Sequence, residues 1–245
     1  MARKSLSGTD LAKVYRSRRV VDGVSLSVST GEVVGLLGPN GAGKTTTFYM
    51  LVGFIKPASG QIFLDETDVT KLPMYKRARS GVGYLPQEAS VFRRMTVEQN
   101  VKAILETRKL SRKEQGAECD QLLEDLGVSH LRKSRGFQLS GGERRRVEIA
   151  RTLANDPSFI LLDEPFAGID PIAVQDIQNI VQSLTDRGLG VLITDHNVQE
   201  TLRITDRAYI LHEGRIVVSG TPEQSVENDQ ARSGYLGDGF RLERA

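Results

Sequence analysis

The chain is poor in the residues that mark several classes of protein. It has no tryptophan, one cysteine and three histidines in 245 residues. A single cysteine, Cys119, allows no disulfide within the chain and fits a reducing compartment. With the histidines scattered, there is no zinc-type ligand cluster. The longest unbroken apolar run, Phe48 to Val52, is far short of the roughly 18 residues a spanning helix needs. The basic start Met1-Ala2-Arg3-Lys4 leads into no apolar signal core. Excess charge is missing too. Lys and Arg number 33 against 31 Asp and Glu, a net charge of +2, so the balance gives no argument for a nucleic-acid binder. Pro-rich linkers, low-complexity runs and internal repeats are absent. The expectation is a chain that is cytoplasmic or held at a membrane by something else.

What is present reads as an α/β fold. Leu6 to Tyr15 and Val20 to Val28 are β-rich and broken by glycine. Val33 to Leu37 is an apolar run suited to a strand buried on both faces. After it, Gly38-Pro39-Asn40-Gly41-Ala42-Gly43 fits no regular element, and a helix is expected from Lys44 to Val52, stopping at Gly53. Short strands follow at Gln61 to Leu64 and Val82 to Leu85. Thr96 to Gln99, Ser111 to Glu114 and Ser140 to Glu143 have capping-box spacing. Val97, Val101, Ile104 and Leu105 share one helical face, as do Cys119, Leu122, Leu123 and Leu126. Residues 93–135 therefore read as a helical subdomain inserted in the core. The third box opens a helix to about Asn155. Phe159 to Leu162 and Gly190 to Thr194 are buried strands, Ala208 to His212 and Arg215 to Ser219 a hairpin, and the polar tail from Thr221 is helical.

The chemistry lies in the breaks. Gly38 to Thr45 fits G-x-x-x-x-G-K-[ST], with the strand before and helix after that the motif demands. Gly38, Pro39, Asn40, Gly41, Ala42 and Gly43 let backbone amides wrap a polyphosphate, and the following helix adds its positive end. Lys44 can reach the terminal phosphates. Thr45 or its neighbour Thr46 can hold magnesium. At the end of the strand Phe159 to Leu162, Asp163 suits the magnesium shell and Glu164 can polarise an attacking water. Leu139-Ser140-Gly141-Gly142-Glu143 puts a hydroxyl and bare amides at another helix start, a second anion site. One chain would struggle to fold both anion sites around one phosphate chain. A dimer sandwiching two nucleotides is the economical reading.

With these motifs in this order, the chain resembles the nucleotide-binding subunits of ABC transporters over nearly its whole length. The resemblance implies a single ATPase domain over 1–245: a P-loop core with a mixed sheet, an N-terminal antiparallel β subdomain, the inserted helical subdomain and a C-terminal extension over 221–245. It implies ATP and Mg2+ as ligands. Leu139 to Glu143 matches the signature motif and Gln87 the Q-loop glutamine, which reaches magnesium and water. His196 matches the switch histidine at the γ-phosphate. Asp170 matches the D-loop aspartate, although Ala167-Gly168-Ile169-Asp170 departs from the commoner Ser-Ala-Leu-Asp. Tyr15 sits where the family stacks an aromatic on adenine, and would otherwise be a core strand tyrosine.

The runs Leu85 to Arg94, Gly142 to Arg151 and Asp163 to Pro171, with the ending Tyr235 to Leu242, resemble the lipopolysaccharide-export ATPases of Gram-negative bacteria. That resemblance implies a homodimer, peripheral on the cytoplasmic face of the inner membrane. The dimer drives two integral-membrane subunits through their coupling helices, and the complex, not this chain, handles lipopolysaccharide. Phe92 and Arg93 would meet the coupling helix, and Tyr235 and Phe240 would support the dimer. Arg144-Arg145-Arg146 reads as a solvated helix face, with no nucleic-acid partner. An importer ATPase of the branched-chain amino-acid type is the nearest rival, with a soluble non-transport ABC protein behind it. A regulatory GTPase lacks its guanine-reading Asn-Lys-x-Asp here.

Overall fold

The computed structural model describes residues 3–168, 171–237 and 239–242, with the side chains of 171–173 left aside. Two sheets organise it. The first is antiparallel, ordered β2-β1-β4-β5, from β1 (Ser5–Tyr15), β2 (Arg18–Ser29), β4 (Ser59–Leu64) and β5 (Thr67–Asp68). The second is mixed. Its strands are β3 (Val33–Leu37), β6 (Val82–Leu85), β7 (Phe159–Asp163), β8 (Gly190–Thr194), β9 (Arg207–His212) and β10 (Arg215–Gly220), in the order β10-β9-β3-β8-β7-β6. All its neighbours pair in parallel except the β9-β10 hairpin. Every residue of β3, β7 and β8 is buried, as unbroken apolar runs in a two-face-covered parallel sheet require.

Between the two sheets lies α1 (Lys44–Val52). Phe48, Met50, Leu51 and Val52 bury there against Leu6, Leu11, Leu26 and Ile62 of the first sheet and Leu36 and Leu161 of the second. Gly53 ends α1 in a left-handed conformation (φ 97°), with its N–H on Tyr49. A second cluster covers the other face of the mixed sheet. It joins α3 (Val97–Leu105), α4 (Arg112–Asp125), α5 (Gly141–Leu153) and α6 (Pro171–Asp186). The boxes at Thr96, Ser111 and Ser140 are each complete, with side chain and backbone hydrogen bonds exchanged in both directions. Cys119 is buried under α4, and burial pushes its thiol pKa up, which keeps it unreactive.

Two expectations need correction. The three consecutive arginines of α5 are not a solvated face. Arg145 is 7% exposed and pairs with the buried Glu148, while Arg146 pairs with Asp176 across to α6. The tail is helical, through α8 (Pro222–Glu227) and α9 (Asp229–Ala231), but it is not merely polar. Val226, Tyr235, Leu236, Phe240 and Leu242 pack on Leu37, Leu202, Ala208, Ile210 and Val218 of the same chain.

One structural arginine is buried completely. Arg77, in α2 (Met74–Arg79), is 1% exposed. It donates to Met50 O (2.6 Å), Leu51 O (2.7 Å), Leu72 O (3.0 Å) and Thr70 O (3.0 Å). The guanidinium thus satisfies the orphan carbonyls at the C-terminal end of α1. Burial lowers its pKa to about 10, so it stays charged at neutral pH. Arg77→Met keeps the stem and removes every donor. It should destabilise the fold by about 3 kcal/mol or more, read as a lower urea midpoint. A shift below about 1 kcal/mol would contradict the clamp.

Candidate active site

Parallel strands that end side by side bring distant residues to one edge. β6, β7, β8 and β3 are consecutive neighbours in the sheet, and Asp163 pairs in register with Thr194. Gln87 follows β6, Asp163 and Glu164 close β7, Asp195 and His196 follow β8, and the P-loop follows β3. All lie at the carboxyl edge, where ligands bind in open α/β sheets.

The P-loop wraps tightly because of its glycines. Gly38 has φ 145°, and a Cβ there would fall 2.2 Å from Leu211 O. Gly43, the N-cap of α1, has φ 101°, and a Cβ would fall 2.7 Å from Val20 O. No other residue fits either position. Lys44 is buried, and its ammonium donates to Gly38 O (2.6 Å) and Pro39 O (3.0 Å). Burial lowers its pKa, and the carboxylates of Glu164 and Asp195 oppose that. Thr45 is exposed and Thr46 half-buried at the start of α1. Pro39 to Ala42 line a cavity of about 530 Å3 with Arg18 and His212.

Across the edge, Glu164 is the meeting point. Gln87 Nε2 donates to Glu164 Oε2 at 2.7 Å, and His196 Nδ1 lies 3.4 Å from the same oxygen. Glu164 has φ 45°, a strained left-handed conformation for a residue with a side chain. Its N–H donates to Thr194 O at 2.7 Å, which locks the turn onto β8. Asp163 is 5% exposed and accepts from the Tyr84 hydroxyl (3.3 Å). Burial raises its pKa, and the Tyr49 and Tyr84 hydroxyls work against that rise.

The residue types suit magnesium. Thr45, Gln87 and Asp163 offer oxygen at one edge, and no group of three or more His, Cys, Asp or Glu forms a metal cage among the described residues. An ion that keeps its waters and shares phosphate oxygens needs one or two carboxylates, not a cage.

The signature segment stands apart from the P-loop. Ser140 caps α5, its hydroxyl accepting from Glu143 N and its N–H donating to Glu143 Oε2 (2.8 Å). Ser140 and Gly141 are exposed and Gly142 half-buried. Gly141 shares a small cavity of about 90 Å3 with Gln87 and Glu164, and no P-loop residue lines it. Tyr15 is 45% exposed at the end of β1, with Lys13 Nζ 5.4 Å from its ring centroid, so it is not a core tyrosine. Phe92 is also 45% exposed, and Arg93 is exposed beside it. The Arg151 guanidinium lies 4.3 Å above the Phe92 ring. Tyr235 and Phe240 pack within their own chain, and Asp170 lies outside the described residues.

Sequence reasoning missed two sets of residues here. Asp195 is fully buried. It accepts from Phe166 N (3.0 Å) and Asn197 N (2.8 Å) and so shapes the turns that carry Glu164 and His196. Glu148, 2% exposed, accepts from Ser90 N (2.6 Å) and Val91 N (3.1 Å), and Arg145 donates to Pro86 O (2.6 Å). Helix α5 thereby grips the segment between Gln87 and Phe92.

A P-loop, a strand-end acid pair and a capped signature helix together define a nucleotide-driven ATPase. The chain belongs to the ABC transporter family, as an ATP-binding and ATP-hydrolysing subunit, and residues 21–167 match the family profile described as ABC transporter. It is 57% identical to the lipopolysaccharide export system ATP-binding protein LptB of Haemophilus influenzae, over 97% of this chain and 99% of that one. It is 55% identical to the LptB protein of Escherichia coli K12, over 97% and 99%. A probable ABC transporter ATP-binding protein of Azorhizobium caulinodans is 60% identical, over 98% and 86%. Among solved structures, an ATP-binding cassette of an ABC transporter in its ADP conformation superposes with a TM-score of 0.86 at 28% identity, covering 96% of this chain and 99% of that one. No helix among the described residues is long and apolar enough to cross a membrane.

Proposed function

We propose that two copies of this chain close head-to-tail over two Mg·ATP and so power the extraction of lipopolysaccharide from the inner membrane. The observation that carries the chemistry is the convergence of Gln87 and His196 on one oxygen of Glu164, beside Asp163 and the P-loop. Glu164 accepts a proton from the attacking water, and Gln87 and His196 fix its carboxylate. Lys44 and the amides of Gly38 to Gly43 stabilise the charge that develops on the phosphates. Thr45, Gln87 and Asp163 would hold Mg2+, which when bound neutralises charge on the β- and γ-phosphates. Tyr15 offers an exposed ring for adenine, and Asp170 has the role of the D-loop aspartate.

Ser140 to Gly142 present a hydroxyl and free amides away from their own P-loop. They serve the nucleotide of the opposite copy, so each site is complete only in the dimer. The chain works as one ATPase domain. In it the helical subdomain of about 93–135 follows the signature helix, and the extension of about 221–245 supports the assembly through Tyr235 and Phe240. A groove of about 500 Å3 lined by Tyr75, Arg79, Tyr84, Ser90, Ile104 and Arg151 receives a helix of a membrane subunit, and Phe92, stacked on Arg151, meets it together with Arg93. On this reading the chain works in the cytoplasm, peripheral on the inner membrane.

The cargo rests on the likeness to the lipopolysaccharide export ATP-binding proteins over 97% of the chain. Purification of the tagged chain from detergent-extracted membranes tests it. The expected result is recovery with two integral-membrane proteins and bound lipopolysaccharide. Recovery with an amino-acid permease pair instead would contradict the cargo and leave the ATPase reading standing.

A further inference from the structure

The end of the chain returns to the nucleotide site of its own copy. After α9, residues Arg232–Leu236 form a single wide π turn, and Tyr235 packs on the cluster that contains Leu37. Leu37 is the last residue of β3, directly before Gly38. Gly234 lies against His212, a Cβ there falling 3.6 Å from that ring, and lines the P-loop cavity together with Pro39 to Ala42. The tail is therefore a wall of that cavity.

The Tyr235 hydroxyl is the anomaly. It is buried and completes no hydrogen bond. Burial pushes its pKa up to about 12, so it stays protonated, and the Gly38 backbone N–H, which pulls the other way, is the donor that faces its oxygen. A buried hydroxyl without a partner destabilises a fold, and phenylalanine would fill the same space without that penalty. Packing alone gives no reason for tyrosine here. Function does, because the Gly38 peptide it faces is also the rest position of the Lys44 ammonium, which donates to Gly38 O. When Lys44 turns to a phosphate, the Gly38 peptide loses that partner.

We infer that Tyr235 is a positioning residue for ATP in its own chain, its hydroxyl steadying the Gly38 peptide at the base of the P-loop while Lys44 engages the nucleotide. This role is distinct from support of the dimer, and it rests on the ATP-binding reading of the P-loop. It acts through Gly38 and Lys44 and touches no reacting atom.

Tyr235→Phe keeps the ring and deletes only the oxygen. In the full-length chain assembled with its membrane subunits, the KM for ATP should rise about 3- to 10-fold. The kcat at saturating ATP should stay within about twofold, and the melting temperature without nucleotide should be unchanged or higher. Val226→Ala, in the same tail and on the same cluster, should leave the KM at the wild-type value. A wild-type KM for Tyr235→Phe would overturn the inference, as would an equal rise in both variants. So would a normal KM combined with loss of ATP-induced dimers, which would give Tyr235 to the dimer contact alone. The wild-type complex in the same assay tests ATP hydrolysis itself, so failure of that reading is seen separately.

Discussion

Glu164→Gln should bind ATP with affinity close to wild type and hydrolyse it about a hundred to ten thousand times more slowly. The range is what a positioned general base contributes to a transition state. The substitution is nearly isosteric, and glutamine can still accept the 2.7 Å hydrogen bond from Gln87. What it loses is basicity. Backbone strain at φ 45° is unaltered, because both residues carry a side chain beyond Cβ. Equilibrium ATP binding and phosphate release, measured on the same preparation, separate the two effects. A kcat within about tenfold of wild type would remove Glu164 from the role proposed for it and leave its hydrogen bonds as structure.

Lys44→Ala should act on the other side of the arrangement and lower ATP affinity itself, by about 10- to 100-fold. That is the worth of one charge-assisted hydrogen bond to a phosphate. The ammonium stands buried at the mouth of α1, where both the helix end and the loop amides favour an anion. Removing it also takes the Lys44 donor from Gly38 O, while Pro39 O keeps the Ala42 N–H (3.2 Å). A lower melting temperature without nucleotide is therefore part of the expected result. Calorimetric titration with ATP, beside that melting curve, distinguishes a damaged loop from a lost phosphate contact. Unchanged affinity would contradict the P-loop assignment.

Local rules were enough for much of this architecture. The helix Lys44–Val52 and its stop at Gly53 follow from the glycine break and the apolar face. Ser, Thr and acidic or amide residues at capping spacing gave the starts of α3, α4 and α5, because a capping box is a contact three residues long. The same spacing at Thr221 and Gln224 opens α8, where the expectation was only of a helical tail. Helices α6 and α7 (Val198–Ile204) stand outside the sequence-based expectations. In α6 the signal existed: Val174, Ile177, Val181 and Leu184 are buried at helical spacing.

Long-range burial of charge was not legible. Arg77 sits among basic residues and reads as solvated, and only the distant carbonyls of α1 make its burial favourable. Arg145 and Glu148 are one helical turn apart, and their partners, Pro86, Ser90 and Val91, lie almost sixty residues back in the chain. The convergence on Glu164 was legible in outline, since strand ends of a parallel sheet meet at one edge. The sharing of a single oxygen by Gln87 and His196 was not.

In the proposed closed state two nucleotides join two identical chains. Light scattering of the Glu164→Gln protein, with and without saturating Mg·ATP, tests it most directly. The account predicts a mass near 54 kDa with nucleotide and near the 27.0 kDa of one chain without it. It also predicts that Ser140→Arg, which blocks the signature surface, abolishes the shift. A mass that stays at one chain with ATP bound would contradict the account.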